Sequence, residues 1–247
     1  MAIIVDHESE YKGERKVRDA IAEYFSDDVV VYNNREVNGR EYDICLLVKD
    51  VCVFIVEVKG WLADKINVHG IDDIEVEGYA EQQKSPKKQA KSYCIQYFTK
   101  LKKQLGTSPL VVDLVAYPFI TKEQYYESHL NIISEEQFTL FKEDLGDHAS
   151  LKKKFQMAFD AKKAIPHAEL NAELISRIRR KEEPDYNDSE DKDLIQVYST
   201  LSIIPDDADD KRIKRIVAAY FKGIKQIVFV SKRPLFEMIL NELNFSY

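Results

Sequence analysis

The hydrophobic and polar positions of this chain predict a mixed α/β fold. Apolar residues recur at helical spacing in residues 8–25 and 86–105, where they form one stripe on each helix. Short runs rich in β-branched and aromatic residues predict strands at 29–32, twice within 41–61, at 110–117 and at 129–133, with a polar edge hairpin at 66–78. The resulting order of helix, three strands, helix and strand is typical of a central sheet covered by helices.

Three charged residues interrupt the otherwise apolar strands of the segment 41–61. Asp43 lies on the first strand, and Glu57 and Lys59 lie on the second. Both faces of these strands are expected to be buried, as in the middle of a covered sheet. Ionised groups are costly in such a place unless they have partners. The three charges therefore indicate a functional site.

The relative position of the two carboxylates depends on the turn between the strands. A three-residue loop at 49–51 pairs Val48 with Cys52. The same register puts Asp43 directly opposite Glu57, whereas a two-residue loop would put them on opposite faces of the sheet. We favour the three-residue loop because the alternative would scatter the only charges in the hairpin.

Two carboxylates that face each other across a sheet repel, so a cation is expected between them. Oxygen ligands without an accompanying His or Cys favour Mg²⁺ or Mn²⁺ over zinc. We therefore predict a metal site formed by Asp43, Glu57 and the backbone carbonyl of Val56. Such an ion binds a scissile phosphate and lowers the pKa of an attacking water. Lys59 would orient that water or offset charge developing on the phosphate.

Glu14 lies on the apolar side of the first predicted helix. It precedes Val17 by three residues and Ile21 by seven, so its carboxylate projects towards the core and needs a partner. An ion pair with Arg18, four residues further on, accounts for this spacing equally well.

Composition and charge are those of an ordinary soluble protein of 247 residues. The net charge of −7 argues against a protein coated in nucleic acid but leaves room for a local basic patch. The three cysteines lack CxxC spacing and are expected to be reduced core residues. No leader-like segment or long apolar run is present, which favours a cytoplasmic protein without membrane contact. The five dispersed histidines and the absence of GxxxxGK disfavour zinc or HNH chemistry and a P-loop.

A run of lysines accompanies the predicted helix 86–105. Between Gln82 and Val112 the chain has no acidic residue, although its net charge is negative. The ordinary interpretation is a solvated helix face, but such faces usually mix both signs. A strip of one sign suits a phosphate backbone, and we predict DNA binding by the lysines at the start of the run. These are Lys84, Lys87, Lys88 and Lys91, and the run continues with Lys100, Lys102 and Lys103.

The last quarter of the chain predicts a separate unit. Residues 182–193 are strongly acidic and contain Pro184, which is typical of an exposed linker. Residues 194–247 then predict strand, helix, strand and helix, a small α/β extension that stops directly after its last helix. We expect that the sequence is part of a longer chain, or that this piece docks on a partner.

Four segments, in this order along the chain, resemble the NERD (nuclease-related) domain, a branch of the PD-(D/E)xK nuclease superfamily. They are Gly13-Glu14 and residues 38–43, 56–61 and 85–90, and the resemblance covers roughly residues 8–180. Tyr42 stands where the superfamily has its proline, while the following acid is kept. The resemblance implies a restriction-endonuclease-like core, a mixed central sheet flanked by helices, within a domain spanning residues 1–181.

The resemblance also implies roles for five residues of this chain. Asp43 and Glu57 correspond to the metal ligands and Lys59 to the catalytic lysine. Glu14 corresponds to the acidic residue on the first helix, and Gln89 to the polar residue of the second core helix. Mg²⁺ or Mn²⁺ is the implied cofactor.

The leading hypothesis is a Mg²⁺- or Mn²⁺-dependent deoxyribonuclease, part of a DNA-processing or anti-phage defence helicase–nuclease system. DNA is the expected partner; a helicase or ATPase module and a second copy of the chain are further candidates. The alternative is a nucleic-acid-binding or adaptor module that has lost cleavage, against which the intact acids and lysine count. A purely structural domain has no positive support.

Overall fold

The computed structural model describes residues 1–5, 9–79, 81–183 and 186 of the chain. Its contacts divide the chain into the units Met1–Ile178 and Arg179–Tyr247. The predicted acidic linker lies outside the described residues except for its start, and the predicted extension at 194–247 lies wholly outside them. Within the described part, no helix combines the length and the apolar character needed to cross a bilayer.

A six-stranded mixed sheet forms the centre of the described part of the chain, which confirms the predicted α/β fold with helices against a mixed sheet. The strand order is β1-β2-β3-β4-β7-β8. Strand β3 is antiparallel to both of its neighbours, whereas the other neighbouring pairs are parallel. The strands are β1 (Ile3–Ile4), β2 (Val29–Val37), β3 (Arg40–Val48), β4 (Cys52–Val58), β7 (Val111–Ala116) and β8 (Thr139–Leu140), with β5 (Ile66–Gly70) and β6 (Asp73–Val76) forming a separate antiparallel hairpin.

Helices cover both faces of this sheet because each helix presents an apolar stripe to it. The helices are α1 (Lys12–Tyr24), α2 (Pro86–Leu105), α3 (Lys122–Glu127), α4 (His148–Lys162) and α5 (Ala172–Glu182). On one face, Val17 and Ile21 of α1 and Phe155 of α4 pack into the core. On the other face, Tyr97 of α2 and Leu174 of α5 pack into a second core. Burying this apolar surface is the main stabilising contribution to the fold.

The hairpin of β3 and β4 has the predicted register. Val48 pairs with Cys52 around the three-residue turn, and the ladder continues to Ile44 and Val56. Asp50 adopts a positive φ of 58°, a left-handed conformation that Asp tolerates better than most residues. Every residue of β4 is buried, as expected for a strand that is paired on both sides.

Helix α2 begins and ends where the sequence predicts. The Ser85 hydroxyl accepts a hydrogen bond from the backbone N–H of Lys88, and Pro86 occupies the first turn. Gly106 ends the helix at a φ of 75°, a conformation that glycine adopts without a steric penalty. The helix is therefore defined by its own caps.

The predicted strand at 129–133 is wrong. His129 has a left-handed φ of 57°, and Leu130–Ile132 form a 3₁₀ turn. Leu130 and Ile133 are buried while Ile132 is half exposed, a three-residue spacing that suits a helical turn and not a strand. After this turn, the 3₁₀ turn Glu136–Phe138 leads directly into β8.

Candidate active site

The amino-terminal end of α1 meets the carboxyl-terminal end of β4 at a close contact between two glycines. A Cβ atom on Gly13 would lie 3.3 Å from the Cα of Gly60 and 3.2 Å from the side chain of Pro118. Any larger residue at position 13 would therefore push the helix away from the strand. This contact positions the next residue, Glu14, at the end of β4.

A cleft of about 390 Å³ opens at this contact. It brings together Glu14 from α1, Asp43 from β3 and Lys59, which directly follows β4. The residues that line it are Tyr11, Lys12, Gly13, Glu14, Asp43, Val58, Lys59, Gly60, Trp61, Tyr79, Gln83 and Phe119. Three of the five predicted catalytic side chains therefore face a common space.

Asp43 is held at the point where the ladder between β3 and β4 ends. Its Oδ2 accepts a hydrogen bond of 2.6 Å from the backbone N–H of Val58. Burial raises the pKa of the Asp43 carboxyl well above its ordinary value, and the charges of Glu57 and Glu14 raise it further. The carboxyl thus lies in a negative environment that favours a positive neighbour.

Glu57 is 3% exposed and does not line the cleft, although the next two residues, Val58 and Lys59, do. Its Oε1 accepts a hydrogen bond of 2.7 Å from the Lys59 ammonium, but its buried Oε2 has no hydrogen-bond partner in the described part of the chain. Burial raises the pKa of Glu57, although the positive charge of Lys59 opposes this shift. An unsatisfied buried carboxylate oxygen is expensive, so it indicates room for a further ligand.

Glu14 is buried at 8% exposure and accepts a hydrogen bond from the Ser9 hydroxyl. Arg18, the alternative partner that the spacing allows, forms a salt bridge of 2.6 Å with its neighbour Asp19. The Glu14 charge raises the pKa of both Asp43 and Glu57, so the three carboxylates interact electrostatically.

Residues 9–118 match the family model described as "NERD: Nuclease-related domain". We call these residues, which are similar to that family, the nuclease-related domain. The matched range ends soon after β7 and contains all five residues whose roles the resemblance implies. The six-stranded mixed sheet with flanking helices is consistent with a restriction-endonuclease-like core. No curated protein and no solved structure matches the chain.

The donor atoms in the nuclease-related domain fit a hard divalent cation in their chemistry. Asp43 and Glu57 offer carboxylate oxygens, and the Glu57 Oε2 is buried without a partner within the described part of the chain. None of the described residues that line the cleft offers a sulfur or an imidazole. Among the residues that the structure describes, no three acidic, His or Cys side chains lie close enough together to hold an ion. Lys59 instead neutralises part of the negative charge by its contact with Glu57.

Val56 and Gln89, like Glu57, are predicted participants that do not line the cleft. Val56 is fully buried in β4, where it pairs with Ile44 on one side and Leu114 on the other. Val58 lines the cleft in its place. Gln89 is half-buried on α2, and the structure places it outside the residues that line the cleft.

Sequence reasoning missed Tyr93, which lies one helical turn after Gln89 on α2. Burial raises the pKa of its phenol, and the charges of Glu57 and Asp43 raise it further, so Tyr93 lies near the carboxylates. The four-residue spacing from Gln89, which places both side chains on one side of the helix, was the available signal.

The lysines of α2 differ in their surroundings. Lys84, Lys88 and Lys91 are exposed, and Lys88 forms a salt bridge with Asp72. Lys87 is half-buried, with its ammonium 2.7 Å from an oxygen of Asp113 and 4.1 Å from the centre of the Phe138 ring. The sequence predicts an uninterrupted strip of positive charge here. The fold interrupts it, because Asp72 and Asp113 lie beside two of the lysines.

Proposed function

We propose that the nuclease-related domain is a Mg²⁺- or Mn²⁺-dependent deoxyribonuclease. The observation that carries this proposal is the electrostatic coupling of Glu14, Asp43 and Glu57 beside a cleft that Lys59 lines. Three acids next to one ammonium leave an excess of negative charge in a partly buried space. That excess favours the binding of a cation over any role in packing.

Asp43 and Glu57 would hold the ion, which supplies Lewis-acid activation of the scissile phosphate and of a water when bound. Lys59 would offset negative charge on the phosphate and orient the water, because its ammonium lies at the cleft. The hydrogen bond from the Val58 N–H fixes the Asp43 carboxylate and leaves its other oxygen available. Glu14, held by Ser9, adds negative charge that strengthens the attraction for the cation.

DNA would approach over the exposed lysines at the start of α2. Lys84 and Lys91 are available to phosphate groups, Lys88 is exposed but paired with Asp72, and Lys12 adds a charge at the cleft itself. Lys87 is left out of this set because Asp113 neutralises its charge. A helicase–nuclease or defence system, a homo-oligomer and a cytoplasmic location stay predictions from the sequence.

A second candidate is a nucleic-acid-binding module without cleavage. The arrangement of the described residues favours it in one respect, since no three potential ligands are close enough to hold an ion. Such a module would bind DNA equally well with and without divalent metal.

Incubation with labelled single- and double-stranded DNA and Mg²⁺ or Mn²⁺ tests the proposal. We expect cleavage by the native chain, and none in EDTA or by the Asp43→Asn and Lys59→Ala variants. Thermal melting should show that Mn²⁺ stabilises the native chain more than Asp43→Asn. Metal-independent DNA binding without cleavage would replace the enzyme with the binding module.

A further inference from the structure

The rim of the cleft carries two tyrosines with unusually exposed rings. Tyr11 is 70% exposed and Tyr79 is 56% exposed. In the described part of the chain, neither side chain has a hydrogen bond or a ring contact. Large aromatic side chains are usually buried or paired, so two free rings beside one cleft require an explanation.

Other exposed aromatic side chains of the described residues have partners. The Tyr126 hydroxyl donates a hydrogen bond of 2.6 Å to Glu136, and its ring packs against Tyr125. The Lys102 ammonium lies 5.8 Å from the centre of the Phe98 ring. The two rings at the cleft thus differ from the exposed aromatics elsewhere in having no partner within the described chain.

The cleft also combines aromatic rings with cations. Phe119 and the buried Trp61 line it together with Lys12 and Lys59. The Lys59 ammonium lies 6.0 Å from the centre of the Trp61 ring. Alternating rings and cations are typical of surfaces that bind single-stranded nucleic acid, where bases stack on the rings and cations contact the phosphates.

We infer that Tyr11 and Tyr79 stack on unpaired bases, so that single-stranded DNA is the strand that enters the cleft. Bases in a duplex already stack on one another, and extruding a base costs free energy that an unpaired strand does not require. The exposed rings offer this stacking only where bases are free. This inference rests on the proposed function for its substrate class and adds the strand state and the residues that select it.

Binding in EDTA separates this inference from cleavage. Fluorescence anisotropy would compare a labelled twelve-nucleotide oligo-dT with a labelled duplex of twelve base pairs. We expect the single strand to bind about 10-fold more tightly than the duplex. Tyr11→Ala and Tyr79→Ala should each weaken binding of the single strand about 10-fold and change duplex binding little, because only stacking is lost.

Matched variants identify the part played by the rings. Tyr11→Phe and Tyr79→Phe keep the ring and should bind oligo-dT as the native chain does. Tyr126→Ala removes an exposed ring that does not line the cleft and should leave binding unchanged.

Trp61 supplies a second measurement at the cleft itself, because it is the single tryptophan of the chain. Unlabelled oligo-dT should quench its fluorescence in the native chain, and Tyr79→Ala should require about 10-fold more DNA for the same quenching. Equal affinity for duplex and single strand, or unchanged binding in both alanine variants, would overturn the inference.

The outcomes for strand selection and for catalysis are distinct. Tyrosine-dependent binding of oligo-dT without cleavage would retain the single-strand interface and remove the nuclease. Cleavage of duplex and single strand at equal rates, unaffected by the tyrosine variants, would retain the nuclease and remove the interface.

Discussion

Two pairs of a lysine and a carboxylate, with the same separation between their charged atoms, lie in different environments. Lys59 with Glu57 and Lys87 with Asp113 both have a separation of 2.7 Å between nitrogen and oxygen. Both lysine side chains are 18% exposed, and the acids are 4% and 7% exposed. The distance between charges therefore does not distinguish a functional pair from a structural one.

The difference lies in the charges and rings around each pair. Glu57 interacts with the Glu14 charge and couples to Asp43, so the Lys59 ammonium faces more than one acid. Lys87 lies over the Phe138 ring as well as beside Asp113, so one acid balances its charge, although Lys87 Nζ and Asp113 Oδ2 make no hydrogen bond in the described part of the chain. An excess of one sign predicts a binding site, whereas a balanced pair predicts a contribution to stability.

The rate of DNA cleavage should distinguish the two lysines most clearly when each is replaced by alanine. Lys59→Ala should lower the rate about 10²–10³-fold, because charge on the phosphate loses its stabilisation. Lys87→Ala removes an equally buried ammonium away from the cleft and should retain activity within about 3-fold. Initial rates at saturating Mg²⁺, measured on folded fractions, test this, and equal losses in the two variants would contradict the distinction.

For the free energy of unfolding we expect the opposite order, with a larger loss in Lys87→Ala than in Lys59→Ala. Lys87→Ala leaves the Asp113 charge nearly buried without its partner, and we expect a loss of about 2 kcal/mol in the free energy of unfolding. Lys87→Met retains much of the packing against Phe138 and should show how much of this loss is electrostatic. Urea denaturation in EDTA measures the free energy of unfolding of Lys87→Ala and of Lys87→Met. A loss below that of the exposed control Lys163→Ala would show that the pair contributes little.

Neutralising an acid in the cleft should stabilise the metal-free chain. Because the pKa of Asp43 is raised in the folded chain, folding disfavours the ionised carboxylate. The native chain therefore loses folding stability as the pH rises above 3.8, the ordinary pKa of the carboxyl. Asp43→Asn can still accept the hydrogen bond from Val58, and we expect it to raise Tm by about 2–5 °C at pH 7.5 in EDTA. The gain should shrink as the pH falls through 3.8 and vanish at about pH 2, where the carboxyl is protonated in both the folded and the unfolded state. A loss of Tm at pH 7.5 would contradict the assignment.

The hairpin of β3 and β4 could be predicted because the length of its turn determines the register. The alternation of side chains along each strand then determines which face each carboxylate occupies. The three-residue loop at 49–51 determined the register that brings Asp43 towards Glu57. Helix α2 was equally predictable from its caps. Helix α4 is also predictable, from the spacing of Leu151, Phe155 and Ala158 after the capping residue Asp147.

The environment of each side chain could not be predicted from the sequence. Asp113 and Asp72 are separated from the lysines of α2 in sequence, so the absence of acids in that run said nothing about neighbours in space. The tyrosines at the rim belong to loops before α1 and after β6, and only the fold brings them to one cleft.

The smallest expected effect concerns the exposed lysines. Lys84→Ala with Lys91→Ala should weaken DNA binding a few-fold at low salt and reduce the slope of log affinity against log salt by about 1–2. Anisotropy titrations in EDTA at several salt concentrations measure this slope. The exposed pair variant Lys152→Ala with Lys153→Ala, on α4, is the control. An unchanged slope would remove α2 from the DNA-binding surface.

The contact between Gly13 and Gly60 has a consequence for how the candidate site forms. The two glycines belong to separate segments of the sequence, so the acids on α1, β3 and β4 come together only after a long loop has closed. A chain still emerging from the ribosome, or one partly unfolded, presents these acids apart. The candidate site is thus completed only when α1 packs on the sheet.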